Sequence, residues 1–277
     1  MMRTIKALWM RNLIKFSREK LRIFFTLFMT GIFLFIFSFV TRLTTVGLDH
    51  PMNYLISGII IMTVFQTALN NSMNILDDIS SGFMKEILVA PISRWQIATG
   101  QILSSMTIAV LQGCIIIVIG FFMGLTIDFL HGCMMVGLMC LVGLTFSALG
   151  LYLASVTKDS TNFQLLITVI TFPLVFLSGA YIPTMVIPGI LKPVIYLNPL
   201  TYTTSAFRYI TLQMDGLSQQ ALVKAGVAFN IHGFIVTPQM GCLLVTVMGF
   251  IFFMLCVNQF SKADFSRVKV LKHGGHR

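Results

Sequence analysis

Between two long apolar runs stands a compact polar block, Asp77-Asp78-Ile79-Ser80-Ser81-Gly82-Phe83-Met84-Lys85-Glu86-Ile87-Leu88-Val89-Ala90-Pro91-Ile92-Ser93-Arg94-Trp95-Gln96. Its residue types suit docking better than bond making. Phe83 to Ala90 can form two turns of helix, with Gly82 ahead of it and Pro91 ending it by withdrawing a backbone donor. Ser93 and Gln96 then form an S-x-x-Q capping box, with Ile92 and Ile97 as its hydrophobic staple, so a new helix starts at Ser93. A short helix, a proline break and a stiff helix start would pass a push into the following apolar run. The same spacing also allows an ordinary solvated loop.

The remaining residues offer no catalytic set. No G-x-x-x-x-G-K-[ST] occurs, nor even a Gly-Lys pair, so the chain has no P-loop with which to cradle a nucleotide. H-E-x-x-H and G-x-S-x-G are absent too. His50, His131 and His232 fall in connections, and His273 and His276 read as a basic end rather than a metal site. Cys114, Cys133, Cys140, Cys242 and Cys256 lie in apolar runs without paired spacing, as small buried hydrophobes do. Ion-coupled carriers place Asp, Glu or His inside the bilayer, whereas all nine acidic residues here read as lying outside the spans. Gln66, Asn70, Asn71, Asn74, Gln112 and Gln164 remain inside and read as helix glue.

The elements that position the block follow from composition. The 277 residues are 56% hydrophobic and 10% charged, against about 25% charged in a soluble domain. Stretches 23–41, 51–76, 95–127, 132–157, 160–191 and 225–261 carry no charge; an ordinary 19-residue window would do so roughly 0.4% of the time. Each can cross about 30 Å of hydrocarbon as a helix. The start does not read as a cleaved signal. With six spans both termini share one side, and fifteen of the nineteen Lys and Arg residues fall there, which predicts cytoplasmic termini. The net charge of +10 is explained by this topology and by anionic headgroups, so nucleic acid is not expected as a partner.

In the first segment Ile5, Leu8, Trp9, Leu13 and Phe16 recur at helical spacing, predicting an amphipathic helix flat on the inner leaflet. The second span is expected over Met52 to Leu76, and the fourth, over Gly132 to Val156, holds Gly137, Gly143, Ser147, Ala148 and Gly150 for close packing. Thr161 and Gln164 form a second possible capping box. The fifth span carries Pro173 and is expected to stop near Gly179, because Pro183, Pro188 and Pro193 cannot share one straight helix. Apolar pieces from 180 to 210 would dip back at the outer face and act as a gate; a loop lying on the interface is the other reading. A polar segment, 211–230, leads to a last span over Phe234 to Asn258.

Ser81-Gly82-Phe83-Met84-Lys85-Glu86-Ile87-Leu88-Val89-Ala90-Pro91-Ile92-Ser93 resembles the cytoplasmic loop of ABC-2 type exporter permeases, in the daunorubicin-resistance-like branch. Phe172-Pro173-Leu174 with Leu177-Ser178-Gly179, and Asn198-Pro199-Leu200-Thr201-Tyr202 with Arg208, are similar to that family's late signature. The resemblance implies an all-α membrane protein with six transmembrane helices, an N-terminal interfacial helix (1–22), a transmembrane domain (23–258) and a basic cytoplasmic tail (259–277). It implies that Gly82, Phe83, Met84, Lys85, Glu86, Ile87, Leu88, Ala90 and Pro91 form a coupling helix seated on an ATP-binding subunit, with Ser93 and Gln96 supporting the next helix start. Tyr181, Pro183, Pro188, Asn198, Pro199 and Tyr202 would belong to re-entrant outer helices.

The implied assembly is two such chains, as a homodimer in a bacterial inner membrane, with two copies of a separate ATPase that binds ATP and Mg; this chain itself needs no cofactor. Drugs, lipids, glycolipids and polysaccharides are the cargoes such assemblies move outward. A non-transporting scaffold or immunity protein that recruits a cytoplasmic partner through the same block is the alternative function.

Overall fold

The computed structural model describes residues 2–44, 51–84, 92–157, 159–180, 184, 187–231 and 233–262, with side chains left aside at 37–44, 51–52 and 260–262. Helix α1 (Met2–Arg18) is followed across Glu19 by α2 (Lys20–Thr44). Helix α3 (Pro51–Asn70) passes through a 3-10 turn at Asn71–Met73 into α4 (Asn74–Ser80). Then come α5 (Arg94–Phe122), α6 (Phe129–Val156) and α7 (Ser160–Leu177). Two short helices, α8 (Lys192–Leu197) and α9 (Pro199–Thr211), precede α10 (Gln219–Lys224), an antiparallel hairpin of β1 (Phe229–Ile231) and β2 (Phe234–Val236), and α11 (Pro238–Lys262).

Among the described residues five stretches are long and apolar enough to cross a membrane: Asn53–Ser80, Arg94–Phe122, Phe129–Val156, Ser160–Leu177 and Pro238–Gln259. Helix α2, 25 residues long, covers the first apolar run.

Helix α3 is predominantly apolar and lies at the centre of the packed helices. Ile56, Ile60, Val64, Phe65, Ala68 and Leu69 are fully buried, and Phe65 meets Phe146 of α6 edge to face at 4.6 Å between ring centres. Around it pack α2, α5, α6 and α9, and α11 lies along α6. Small residues allow the closest approaches. A Cβ on Gly58 would stand 2.5 Å from the Ala180 carbonyl oxygen, and one on Gly150 would stand 2.9 Å from that of Leu69. Backbone cannot yield as a side-chain tip can, so Gly58→Ala is expected to cost about 2 kcal/mol, read as a lower unfolding midpoint of the purified chain.

Three sequence expectations differ from the structure. The second span does not release the chain at Asp77: α4 carries on to Ser80 and Asp78 is buried at 5% exposure. The cap of α7 is Asp159, not Thr161, because the carboxylate accepts from the Asn162 backbone at 2.8 Å and from its side chain at 2.7 Å, which a hydroxyl inside the helix cannot match. The last helix begins at Pro238 rather than Phe234, since Phe234, Ile235 and Val236 pair with Ile231, Asn230 and Phe229. Their β-branched and aromatic side chains favour a strand, and proline suits a helix start. This hairpin is the one departure from an all-helical plan among the described residues.

Candidate functional site

The polar block is mounted on α1 at both ends. On the incoming side, Arg11 of α1 donates to both Asp78 carboxylate oxygens, at 2.8 and 2.7 Å, and its guanidinium lies 3.8 Å over the Phe83 ring. Asp78 has little solvent to offset its charge, so this bidentate pair is what makes its burial tolerable. Hydrogen bonding to that carboxylate also raises Arg11 above its ordinary value.

Helix α4 ends with the Ser81 backbone donating to Asp77 (2.9 Å) and that of Gly82 to Ile79 (3.1 Å). Gly82 has φ +82°, the left-handed conformation that closes helices and suits glycine. Phe83 is half-buried, and Met84, 1% exposed, anchors the segment in the core. Lys85, Glu86, Ile87, Leu88, Ala90 and Pro91 lie outside the described residues.

The outgoing side starts at Ser93, whose extended backbone (φ −74°, ψ 142°) caps α5 and donates its N–H to Gln96 Oε1 at 3.2 Å. Ile92 and Ile97 both pack on the core. About two to four turns further on, α1 grips α5. Asn12 Nδ2 donates to Gln101 Oε1 (2.6 Å) and Ser104 Oγ (3.0 Å), and Trp9 Nε1 donates to Thr107 Oγ1 (3.0 Å). Leu8 fills the space above Gly100, where a Cβ would come within 3.0 Å. Thus α1 rests on α5 with a buried polar seam, not on lipid alone. A second turn also joins: Ser160 Oγ lies 3.5 Å from Asp77 Oδ1.

The elements expected at the outer face meet where α7 stops. Tyr181 and Pro183 lie outside the described residues, and Pro188 opens the 3-10 turn Gly189–Leu191. At Ser178 the backbone bond tightens onto Val175, which frees the carbonyls of the last turn. Side chains of α9 and its cap take two of them and the carbonyl of Ala180 just beyond. Asn198 Nδ2 donates to Leu174 (2.8 Å), Thr201 to Leu177 (3.4 Å) and Arg208 Nη2 to Ala180 (2.9 Å).

Asn198 also caps α9, its Oδ1 accepting from the Leu200 backbone at 2.9 Å, with Pro199 in the first turn. Arg208 is 3% exposed and stacks 3.7 Å over the Tyr54 ring of α3. A cation at a helix carboxyl end offsets the dipole there. Tyr202 donates to the Tyr196 carbonyl at 2.6 Å and meets Phe229 of the hairpin edge to face at 6.0 Å. Helix α9 is buried along most of its length rather than lying on an interface. Asp78 and Asn12 are the functional candidates that local spacing could not single out, because their partners lie far along the chain.

Comparisons with known proteins agree with this architecture. The chain is 28% identical over 173 residues to the protein ycf38 of Porphyra purpurea, named as a transport permease, covering 62% of this chain and 60% of the relative. It is 27% identical over 167 residues to YbhR of Escherichia coli strain K12, named a probable multidrug ABC transporter permease, covering 60% and 45%. To YadH of the same strain, named an inner membrane transport permease, it is 24% identical over 166 residues, covering 57% and 62%. The aligned parts thus span less than two thirds of these relatives' own lengths. The model of the ABC-2 type transporter family matches residues 3–212, from α1 through the end of α9 and with it both the polar block and the Asn198 to Arg208 signature: the chain belongs to the ABC-2 type transporter family.

Proposed function

We propose that this chain is the membrane-spanning permease subunit of an ATP-driven exporter, powered by a separate ATPase that docks on the segment from Gly82 to Pro91. The observation that carries the reading is the mounting of that segment. Its incoming arm (Asp78, Phe83) and outgoing arm (Gln101, Ser104, Thr107) are both fastened to α1, so force applied to the block would move α1, α4 and α5 together. The family match and the absence of any P-loop in the sequence support an external source of work. ATP and Mg would be held by the partner.

In this reading α2 makes a sixth crossing, both termini are cytoplasmic, and residues 1–22, 23–258 and 259–277 serve as interfacial helix, transmembrane domain and tail. Two copies of the chain pair in a bacterial inner membrane, in contact with lipid, and two ATPase subunits bind below. Cargo leaves outward along the seam between the two chains. The junction of α7 with α8 and α9, where Asn198 and Arg208 secure the broken span, forms the outer gate with Tyr181, Pro183, Pro188, Pro199 and Tyr202.

A tagged chain is expected to co-purify with an ATPase that bears the P-loop missing here. The double variant Lys85→Ala, Glu86→Ala is expected to weaken that association by about 2 kcal/mol or more, some thirtyfold in binding. Unchanged assembly and unchanged coupled ATP hydrolysis would move the contact elsewhere. Capture of a partner without a P-loop would favour the scaffold function instead.

A further inference from the structure

Along one face of α3, between α2 and α7, run three adjoining cavities of about 200, 310 and 430 Å³, and Gln66 borders all of them. Thr30 of α2, Thr63 and Asn70 of α3, and Gln164 and Thr171 of α7 line the same groove. Gln66 is exposed in the middle of an apolar helix. An amide facing hydrocarbon there would forfeit several kcal/mol of hydrogen bonding, so this face needs a polar occupant. Two further groups are unspent: Asn70 Oδ1 and Thr171 Oγ1 are buried without a hydrogen-bond partner. Phe33, Phe172 and Phe176 supply an apolar wall beside them.

Charge narrows the occupant. Among the described residues the lining holds one ionisable side chain, Arg22, at one end, and it is already engaged: Nη1 lies 3.0 Å from Glu19 Oε2 and Nη2 lies 3.2 Å from Asn71 Oδ1. Among the described residues no carboxylate lines any of the three cavities, so an organic cation would sit in a low-dielectric groove without a counter-charge. An anion would have to compete with Glu19 for Arg22. The unspent Asn70 Oδ1 is an acceptor and calls for a donor, which neither a quaternary ammonium nor a phosphodiester possesses.

We propose that this groove binds an uncharged amphiphile whose head group carries hydroxyls, the hydroxyls bonding Gln66, Asn70 and Thr171 while the tail lies against the phenylalanines. The proposal rests on the permease reading for its purpose, but the binding itself does not require the ATPase.

The test is saturation binding of three chain-matched probes, dodecyl glucoside, dodecyl methyl phosphate and dodecyltrimethylammonium, to the purified full chain in phosphatidylcholine nanodiscs. The glucoside is expected to bind at least about tenfold tighter than either charged probe. Gln66→Leu combined with Asn70→Leu is expected to remove at least about tenfold of that affinity, the equivalent of one or two lost hydrogen bonds. Thr171→Val, a milder change on a different helix, is expected to weaken it several-fold while the chain stays monodisperse. Equal or tighter binding of a charged probe overturns the proposal, as does glucoside binding indifferent to all three substitutions. Loss of the ATPase in co-purification with glucoside binding intact would sink the permease reading and leave the site standing.

Discussion

Replacing Arg11 with methionine is expected to cost about 3 kcal/mol of stability, the largest single loss where α1 meets α4. The change strands the Asp78 carboxylate, whose side chain is 7% exposed, without its bidentate partner, and breaking a buried pair in this way costs about 3 to 5 kcal/mol. The lower end applies because solvent still reaches 34% of the Arg11 side chain. The reverse change is expected to be milder. Asp78→Leu leaves an arginine that can turn to water, and a loss of about 1 kcal/mol is expected. Combining Arg11→Met with Asp78→Leu should then return most of the loss. Unfolding midpoints of the four proteins give the coupling directly. Additive losses would mean that the pair is not what holds α1 to α4. Because Arg11 also stacks on Phe83, the single Arg11 variant should lower partner-stimulated ATP hydrolysis even where the folded fraction is restored by temperature.

The junction of α7 with α9 has its own asymmetric test. Arg208→Ala is expected to cost about 3 kcal/mol, because it empties a fully enclosed space beside Tyr54 and leaves the Ala180 carbonyl without its donor. Arg208→Met keeps the volume and removes a buried charge that meets no carboxylate among the described residues; it should recover at least half of that loss. If Met proves as damaging as Ala, the guanidinium acts through its donors and not its bulk. Asn198→Ala is expected to be less than additive with Arg208→Ala, since Asn198 ties the last turn of α7 and Arg208 the break that directly follows it.

The sequence reads well wherever one residue type settles the matter locally. Charge-free runs mark the long helices, Ser93 with Gln96 marks the start of α5, and Ser178-Gly179-Ala180 marks the break after α7. Each rests on a neighbour within about one turn. Asp78 defeats that approach: beside Asp77 it looks like solvent-exposed charge, and only a partner 67 residues earlier makes its burial possible. Asn12 sits among basic residues in a segment that resembles a membrane-surface helix, yet it reaches Gln101 across 89 positions.

The hairpin went unread for a different reason. Phe234-Ile235-Val236 continues directly into the apolar run of α11, and only pairing with Phe229-Asn230-Ile231 separates strand from span. Gln66, Asn70 and Gln164 read as helix glue, but Gln66 and Gln164 are exposed to the groove and Asn70 has an idle acceptor. Their spacing says which turn they occupy and not what faces them.

The central claim is that this chain does no work of its own and is moved by a nucleotide-hydrolysing partner. Transport into sealed proteoliposomes, measured with the chain alone and with the co-purified ATPase, tests it most directly. The account predicts uphill accumulation only when partner and ATP are both present, and its loss when the partner's P-loop lysine is replaced. Uphill movement by the chain alone, with no ATPase in the vesicle, would contradict it.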